Sequence, residues 1–210
     1  MDEVQNAPLT VERIVVAGVD LADDEGLAGL SIRKLAQRLG AGTMAAYRHV
    51  KSRDQLVELM VDHALGAHPA EVSAAADWKG GVSLWAAAMT DRYRRHPWLI
   101  DAPIAGVPTT PNRAAWMEAI LQPLARTGLG LPDVLNSALL IDGHVRSVAY
   151  LVREIDRARS LPPAAIPAFD EQEFPMLSRV MASGELEDET EQQIDFGLAR
   201  IVAGIELLSG

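Results

Sequence analysis

The sequence predicts an all-α protein: an N-terminal three-helix helix-turn-helix domain, a linker helix, and a larger helical domain. Three observations predict it. Capping residues (Thr10, Ser31, Ser52, Asp77, Thr110) recur just ahead of apolar residues at helical spacing. Strand signals are weak, with no long alternating runs and no Asn-Gly hairpin turns. Two short helices around a Gly40-Ala41-Gly42 corner fit the basic stretch Ser31–Arg53.

The elements follow in order. Thr10 caps a first helix, with Leu9 and Ile14 placed as a hydrophobic staple. Its inward stripe is Ile14, Ala17, Gly18 and Leu21, and it ends by Gly26. The acidic run 20–25 lacks the ligand spacing of a calcium loop and reads as a solvated helix end. Ser31 caps the second helix, whose stripe is Ile32, Leu35, Ala36 and Leu39. Gly40 stops it as a residue able to take positive φ. A third helix is expected over 43–50, capped by Thr43, with Ala46 and Val50 inward. Ser52-Arg53-Asp54-Gln55 is a capping box for a fourth, which carries Leu56, Leu59, Met60 and His63 and stops before Pro69.

Residues 70–76 read as a small-residue linker. Asp77 caps the next helix, with Trp78, Val82, Trp85 and Met89 inward, ending at His96-Pro97. A short piece covers 98–102, and a loop rich in Pro and Thr covers 103–110. Thr110-Pro111 opens a helix by the cap-then-proline rule, and Pro123 should kink it. Gly128 and Gly130 break the pattern before a long helix from Pro132 to about Arg159, with Leu135, Leu139, Asp142, Val145 and Ala149 near one side. The proline-bearing segment 160–175 reads as a loop, 174–182 as a short helix, 183–191 as an acidic turn, and 189–208 as a final helix.

Charge marks one region. The chain carries 19 Lys and Arg against 29 Asp and Glu, a net of −10. Arg33, Lys34, Arg38, Arg48, Lys51 and Arg53 fall within the 23 residues from Ser31 to Arg53, which contain no acid. An acidic protein that concentrates cations in this way is expected to meet a polyanion there. In a helix-turn-helix the second helix enters the major groove, here offering Thr43, Met44, Ala45, Tyr47, Arg48 and His49. Lys51 and Arg53 flank the next helix N-terminus, a natural phosphate clamp.

The segment 25–62, EGLAGLSIRKLAQRLGAGTMAAYRHVKSRDQLVELMVD, resembles the DNA-binding domain of the TetR (tetracycline repressor) family of transcriptional regulators. Its "RKLAQ.LG", "YRHV" and "K(S/N)(R/K)..L...M" motifs carry the resemblance, and 195–208, DFGLARIVAGIELL, resembles the family's closing dimerisation helix. The resemblance implies a DNA-binding domain over 8–68 and a helical ligand-binding and dimerisation domain over 77–210. It implies a homodimeric repressor that leaves a double-stranded DNA operator when a small-molecule effector binds. Family positions that touch DNA match Ser31, Arg33, Thr43, Met44, Ala45, Tyr47, His49, Lys51 and Arg53. Met44 stands where the tetracycline repressors have proline, so operator sequence does not carry over.

In the second domain all four tryptophans fall within 78–116. Trp85, Met89, Trp98, Trp116 and Met117 are candidate pocket residues, since ligand pockets are aromatic and Met-lined with a few polar groups. His96, Asp142, His144 and Arg146 are polar candidates beside them. His68 matches the region where the family holds its drug by a histidine. With Pro69 next to it and no Asn in the Trp78–Met89 stripe, an effector more apolar than tetracycline is expected. Phe196, Ile201, Ile205 and Leu208 mark a broad apolar stripe for dimerisation, with Gly197 and Gly204 allowing close helix approach.

Composition narrows the rest. With no cysteine, disulfides, thiolate zinc sites and thiol redox sensing are excluded. No apolar run reaches ~18 residues, and the polar start is unlike a signal peptide, so no membrane association and a cytoplasmic location are expected. No cofactor and no metal is expected. The rival readings are an all-α enzyme or a partner-binding helical protein. No Cys nucleophile, HExxH, phosphate loop or GxSxG supports the first, and the acid-free basic stretch opposes the second.

Overall fold

A computed structural model describes residues 8–103, 106–160, 172–183 and 190–209. Most of the expected loop 160–175 and acidic turn 183–191, and the polar start of the chain, lie outside them. Every regular element among the described residues is helical.

Helix α1, Val11–Glu25, begins as expected: Thr10 Oγ1 accepts from Arg13 N at 3.2 Å. Its Ile14, Ala17, Gly18 and Leu21 are buried, and Gly26 ends it. A 3-10 turn, Leu27–Gly29, leads to α2, Ile32–Arg38, capped by Ser31. Gly40 has φ 64°, and the amides of Gly40 and Ala41 bond to the carbonyls of Gln37 and Ala36. That pair of bonds is a Schellman stop, which needs a residue free to adopt positive φ.

Helix α3, Thr43–Tyr47, is shorter than expected, and Thr43 is its first residue, not its cap. Gly42 is extended, and its carbonyl already accepts from Ala45 N and Ala46 N. At the far end Arg48 N and His49 N bond three residues back, tightening the last turn before Val50. In α4, Arg53–Leu65, Ser52 Oγ accepts from Gln55 N at 3.1 Å. The box closes one residue upstream of expectation: Gln55 Oε1 accepts from Lys51 N at 2.8 Å. Val57, Met60 and Ala64 are buried on α4, which packs against α1 and α7, whereas His63 is exposed.

The expected linker over 70–76 contains a helix, α5, Ala70–Ala74, because Val72 is fully buried against its neighbours. Asp77 Oδ1 caps α6, Trp78–Arg95, accepting from Gly80 N at 2.7 Å. A 3-10 turn, Pro97–Asp101, follows. Helix α7, Pro111–Ala125, continues through Pro123 to its last residues. Helix α8, Leu131–Arg159, crosses both α6 and α7. Its buried stripe is Val134, Ala138, Ile141, Val145 and Val148. The expected Leu135 and Leu139 sit one residue, about 100°, round the helix and are exposed.

Helix α9, Pro175–Ser183, has no buried residue. Helix α10, Thr190–Leu208, packs along α8. Ile194, Leu198 and Ile205 are buried, Ile201 and Val202 half-buried, and Phe196 and Leu208 exposed at 60% and 72%. Thus part of the stripe expected to face a second subunit faces the chain's own α8 instead. The two glycines differ as well. A Cβ on Gly204 would meet nothing within 4 Å, whereas one on Gly197 would collide with the His144 imidazole. His144 Nε2 lies 3.0 Å from the Ile194 carbonyl oxygen, so the ring is fixed in that space. Gly197→Ala is therefore expected to destabilise the protein by about 1–3 kcal/mol through overpacking, despite alanine's better helix propensity. Urea unfolding of the two proteins measures it.

Candidate nucleic-acid interface and effector cavity

The basic stretch is not uniformly free. Lys34 pairs with Glu25 at 2.6 Å and Arg38 with Asp24 at 3.3 Å, both at the end of α1. The run 20–25 is thus engaged in holding the motif, rather than only solvated as expected. Both pairs are about half exposed, so each adds little energy and mainly fixes orientation. Arg53, read as a phosphate clamp, donates Nη2 to Leu27 O at 2.8 Å and Nε to Leu30 O at 3.4 Å. Its guanidinium ties the start of α4 to the turn before α2. Ser31 Oγ is engaged as the cap of α2, accepting from Lys34 N.

Arg33, Arg48 and Lys51 are exposed and form no side-chain hydrogen bond or ion pair among the described residues. On α3, Met44 is 78% exposed and Tyr47 47%, while Thr43, Ala45 and His49 are half-buried. The motif thus presents exposed cations and a protruding apolar side chain, with Ala46 and Val50 buried.

A cavity of about 140 Å³ lies between α4, α6, α7, α8 and the 97–101 turn. Trp85, Met89, Trp116 and Met117 line it, with Val61 and Leu65 contributed by α4. An apolar cavity of ~150 Å³ holds a benzene ring. The remaining expected pocket residues lie elsewhere. His68 sits beside Trp116 with its ring 6.5 Å away, and its Nδ1 is 3.1 Å from Pro69 O. Trp98 donates its indole N–H to Asp23 Oδ1 at 2.8 Å. His144 contacts α10. None of the three lines the cavity, and each has an intramolecular hydrogen-bonding partner.

The indole donors of the lining are engaged too. Trp85 Nε1 donates to Trp116 O at 2.9 Å, and Trp116 Nε1 to Gly66 O at 2.9 Å. Both rings therefore serve as walls, crossing edge to face at 6.1 Å between centroids. Polar chemistry is left to Tyr93, Arg113, Asp142 and Arg146. Arg146 donates to the carbonyls of Ile100 and Ala102 at 2.6 and 2.5 Å, pinning the 97–101 turn. Burial holds the Asp142 carboxyl above its usual range, opposed by the Arg146 and Arg113 charges. Burial pushes the Tyr93 phenol up as well, assisted by Asp142. Asp142 and Arg146 stand out in the sequence as polar residues on the tryptophan-rich domain's long helix. Tyr93, Arg113, Val61 and Leu65 carry no local signal, since only the packing of α4 on α7, and of α6 and α7 on α8, brings them together.

The two regions meet through carboxylates. Asp62 on α4 accepts from the amides of Asn112 and Arg113 at 2.8 and 3.2 Å. Those are free amides of the first turn of α7. Thr110, expected as the cap, makes no capping bond, and its hydroxyl is buried without a partner. Asp62 caps α7 in its place, with a charge suited to a helix N-terminus. Glu58, one turn earlier, accepts from the Thr109 hydroxyl. On the other side, Asp23 of α1 meets His96 Nδ1 at 2.9 Å and the Trp98 indole.

Among the described residues no helix is long and apolar enough to cross a membrane, and no three His, Asp or Glu residues are grouped to hold a metal.

Comparison with known proteins agrees with this geometry. Residues 72–208 match the family model of the tetracyclin repressor-like C-terminal domain. The chain is 36% identical to the HTH-type transcriptional repressor DrrR1 of Streptomyces coeruleorubidus, covering 95% of this chain and 78% of the relative. The crystal structure of apo ActR from Streptomyces coelicolor superposes with a TM-score of 0.80 at 28% identity, covering 97% of this chain and 98% of that one. ActR in complex with actinorhodin superposes with a TM-score of 0.76 at 27% identity, covering 97% and 100%.

Asp62→Ala is expected to lower stability by about 1–2 kcal/mol, the loss typical of an N-cap carboxylate. The cost should appear in thermal unfolding, and amide exchange should rise first at residues 112 and 113.

Proposed function

Since this chain belongs to the tetracycline repressor-like (TetR) family of transcriptional regulators, we propose that it is a homodimeric repressor that leaves its operator when a small aromatic, largely apolar effector fills the cavity beside α4. One observation carries the reading. A cation-bearing helix-turn-helix and an aromatic cavity share a single helix, since α4 starts at the motif and ends in the cavity wall.

In a two-fold dimer the two α3 helices enter successive major grooves about 34–36 Å apart. Arg33, Lys51 and Tyr47 hold phosphates. Thr43, Met44, Ala45, Arg48 and His49 face base edges, where Met44 and Ala45 suit thymine methyl groups. Arg53 and Ser31 reach the backbone only in so far as their intramolecular bonds allow, and act chiefly by orienting α4 and α2. The exposed Phe196 and Leu208 of α10, with Leu135, Leu140 and Leu151 of α8, supply apolar surface for a second subunit. Ile201 and Ile205 back that face from within the protomer.

An effector between α4, α7 and α8 alters the position of α7 relative to α4, which Asp62 joins. It displaces the protein from DNA only by binding the non-operator geometry more tightly. DrrR1 is named a repressor, and ActR is crystallised with actinorhodin. The first supports a repressor here, and the second a regulator that binds a small molecule.

A gel-shift assay on the DNA upstream of the protein's own gene tests the reading. A salt-sensitive, sequence-selective shift is expected; its absence at every concentration would end the proposal. Lys51→Ala should weaken binding about equally on all sequences and reduce the salt slope by about 1. Thr43→Ala should instead change preference at particular base pairs. Equal effects of both on every sequence would overturn the sorting of roles.

A further inference from the structure

We propose that the effector is an aromatic compound carrying a hydrogen-bond donor, a hydroxyl or a protonated amine, whose bond Asp142 accepts in the cavity wall. The inference rests on the cavity being the effector site and says what that site selects. Four observations lead to it.

Asp142 lines the cavity, yet accepts no hydrogen bond and forms no ion pair among the described residues. Every other acid that the structure places at a junction has a donor: Asp23 has Trp98, Asp62 has the α7 amides, and Asp101 has Arg153. Arg146, one turn along α8 and the natural partner, is instead held by the carbonyls of Ile100 and Ala102. Of the other donors that line the cavity, the two indole N–H groups are engaged with backbone carbonyls, and the Tyr93 hydroxyl and Arg113 guanidinium make no hydrogen bond or ion pair with Asp142.

The Asp142 carboxyl is half-buried, so a ligand that fills the cavity and excludes water from it has to supply a donor in place of that water. Burial already holds it away from its ordinary ionisation. A ligand hydroxyl or ammonium supplies the missing bond. Such a bond is read sharply, because an analogue without the donor covers the acceptor and leaves it unpaired. The flat walls of Trp85 and Trp116 set the other half of the specificity, an aromatic ring beside the donor.

Matched single-ring probes test this: 4-ethylphenol, 4-ethylbenzylamine and 4-ethylanisole. Tryptophan fluorescence of the full-length protein reads binding, with displacement from operator DNA as a second readout. The phenol, the amine or both should bind about ten-fold or more tightly than the anisole, the scale of a hydrogen bond to a charged group. The phenol leading marks a hydroxyl donor, the amine leading a cation; either supports the proposal. In Asp142→Leu the three probes should fall within about two-fold of one another, because the acceptor is gone.

Equal binding of all three to the unaltered protein overturns the role of Asp142 and leaves the cavity as the effector site. Tighter binding of the anisole does the same. No binding of any probe removes the cavity reading together with this one. A preference that persists in Asp142→Leu shows that another group reads the donor, and overturns the proposal. Should the leucine variant fail to fold, Asp142→Asn keeps the shape, removes the charge and must abolish the amine's advantage if an amine leads, or shrink the phenol's if a hydroxyl does. The comparison within the unaltered protein stands in every case.

Discussion

Helix α4 has to satisfy two cores at once, and the rest of the molecule is arranged around that constraint. It is 13 residues long, roughly 20 Å of rigid rod. Leu56, Val57 and Met60 are buried with α1 and the motif helices, while Val61 and Leu65 wall the cavity. Asp62 lies between them and caps α7. A helix that contributes side chains to both regions cannot move in one without moving in the other. Close packing makes the response discrete rather than elastic.

The electrostatics fit the same division. The acidic end of α1 holds Lys34 and Arg38 against the motif, and Arg53 is fixed to the turn before α2. These cations set geometry. Arg33, Arg48 and Lys51 are left to face outward. Outside the basic stretch the chain carries 13 basic and 29 acidic groups, a net charge that disfavours a polyanion elsewhere on the chain.

The cavity follows a comparable economy. Its aromatic walls are oriented by N–H bonds to backbone carbonyls, which keeps the rings in place and leaves few polar atoms facing inward. Gly66 ends α4 and accepts from Trp116, so the wall of the cavity is anchored on the same helix that carries the motif.

By itself the sequence determined the helical class, the cap of α1, the Schellman stop at Gly40, the caps of α2, α4 and α6, and the charge anomaly. All of these rest on interactions within a few residues, where spacing and side-chain chemistry suffice. Only the tertiary structure decided that Asp62, not Thr110, caps α7, and that His144 and Trp98 do not line the cavity. It alone turned Leu135 and Leu139 outward and part of the α10 stripe inward. Those outcomes join residues some 50 to 75 positions apart or depend on a helix's rotation against its neighbours. Periodicity fixes which residues share a face, but the packing partner fixes where that face points.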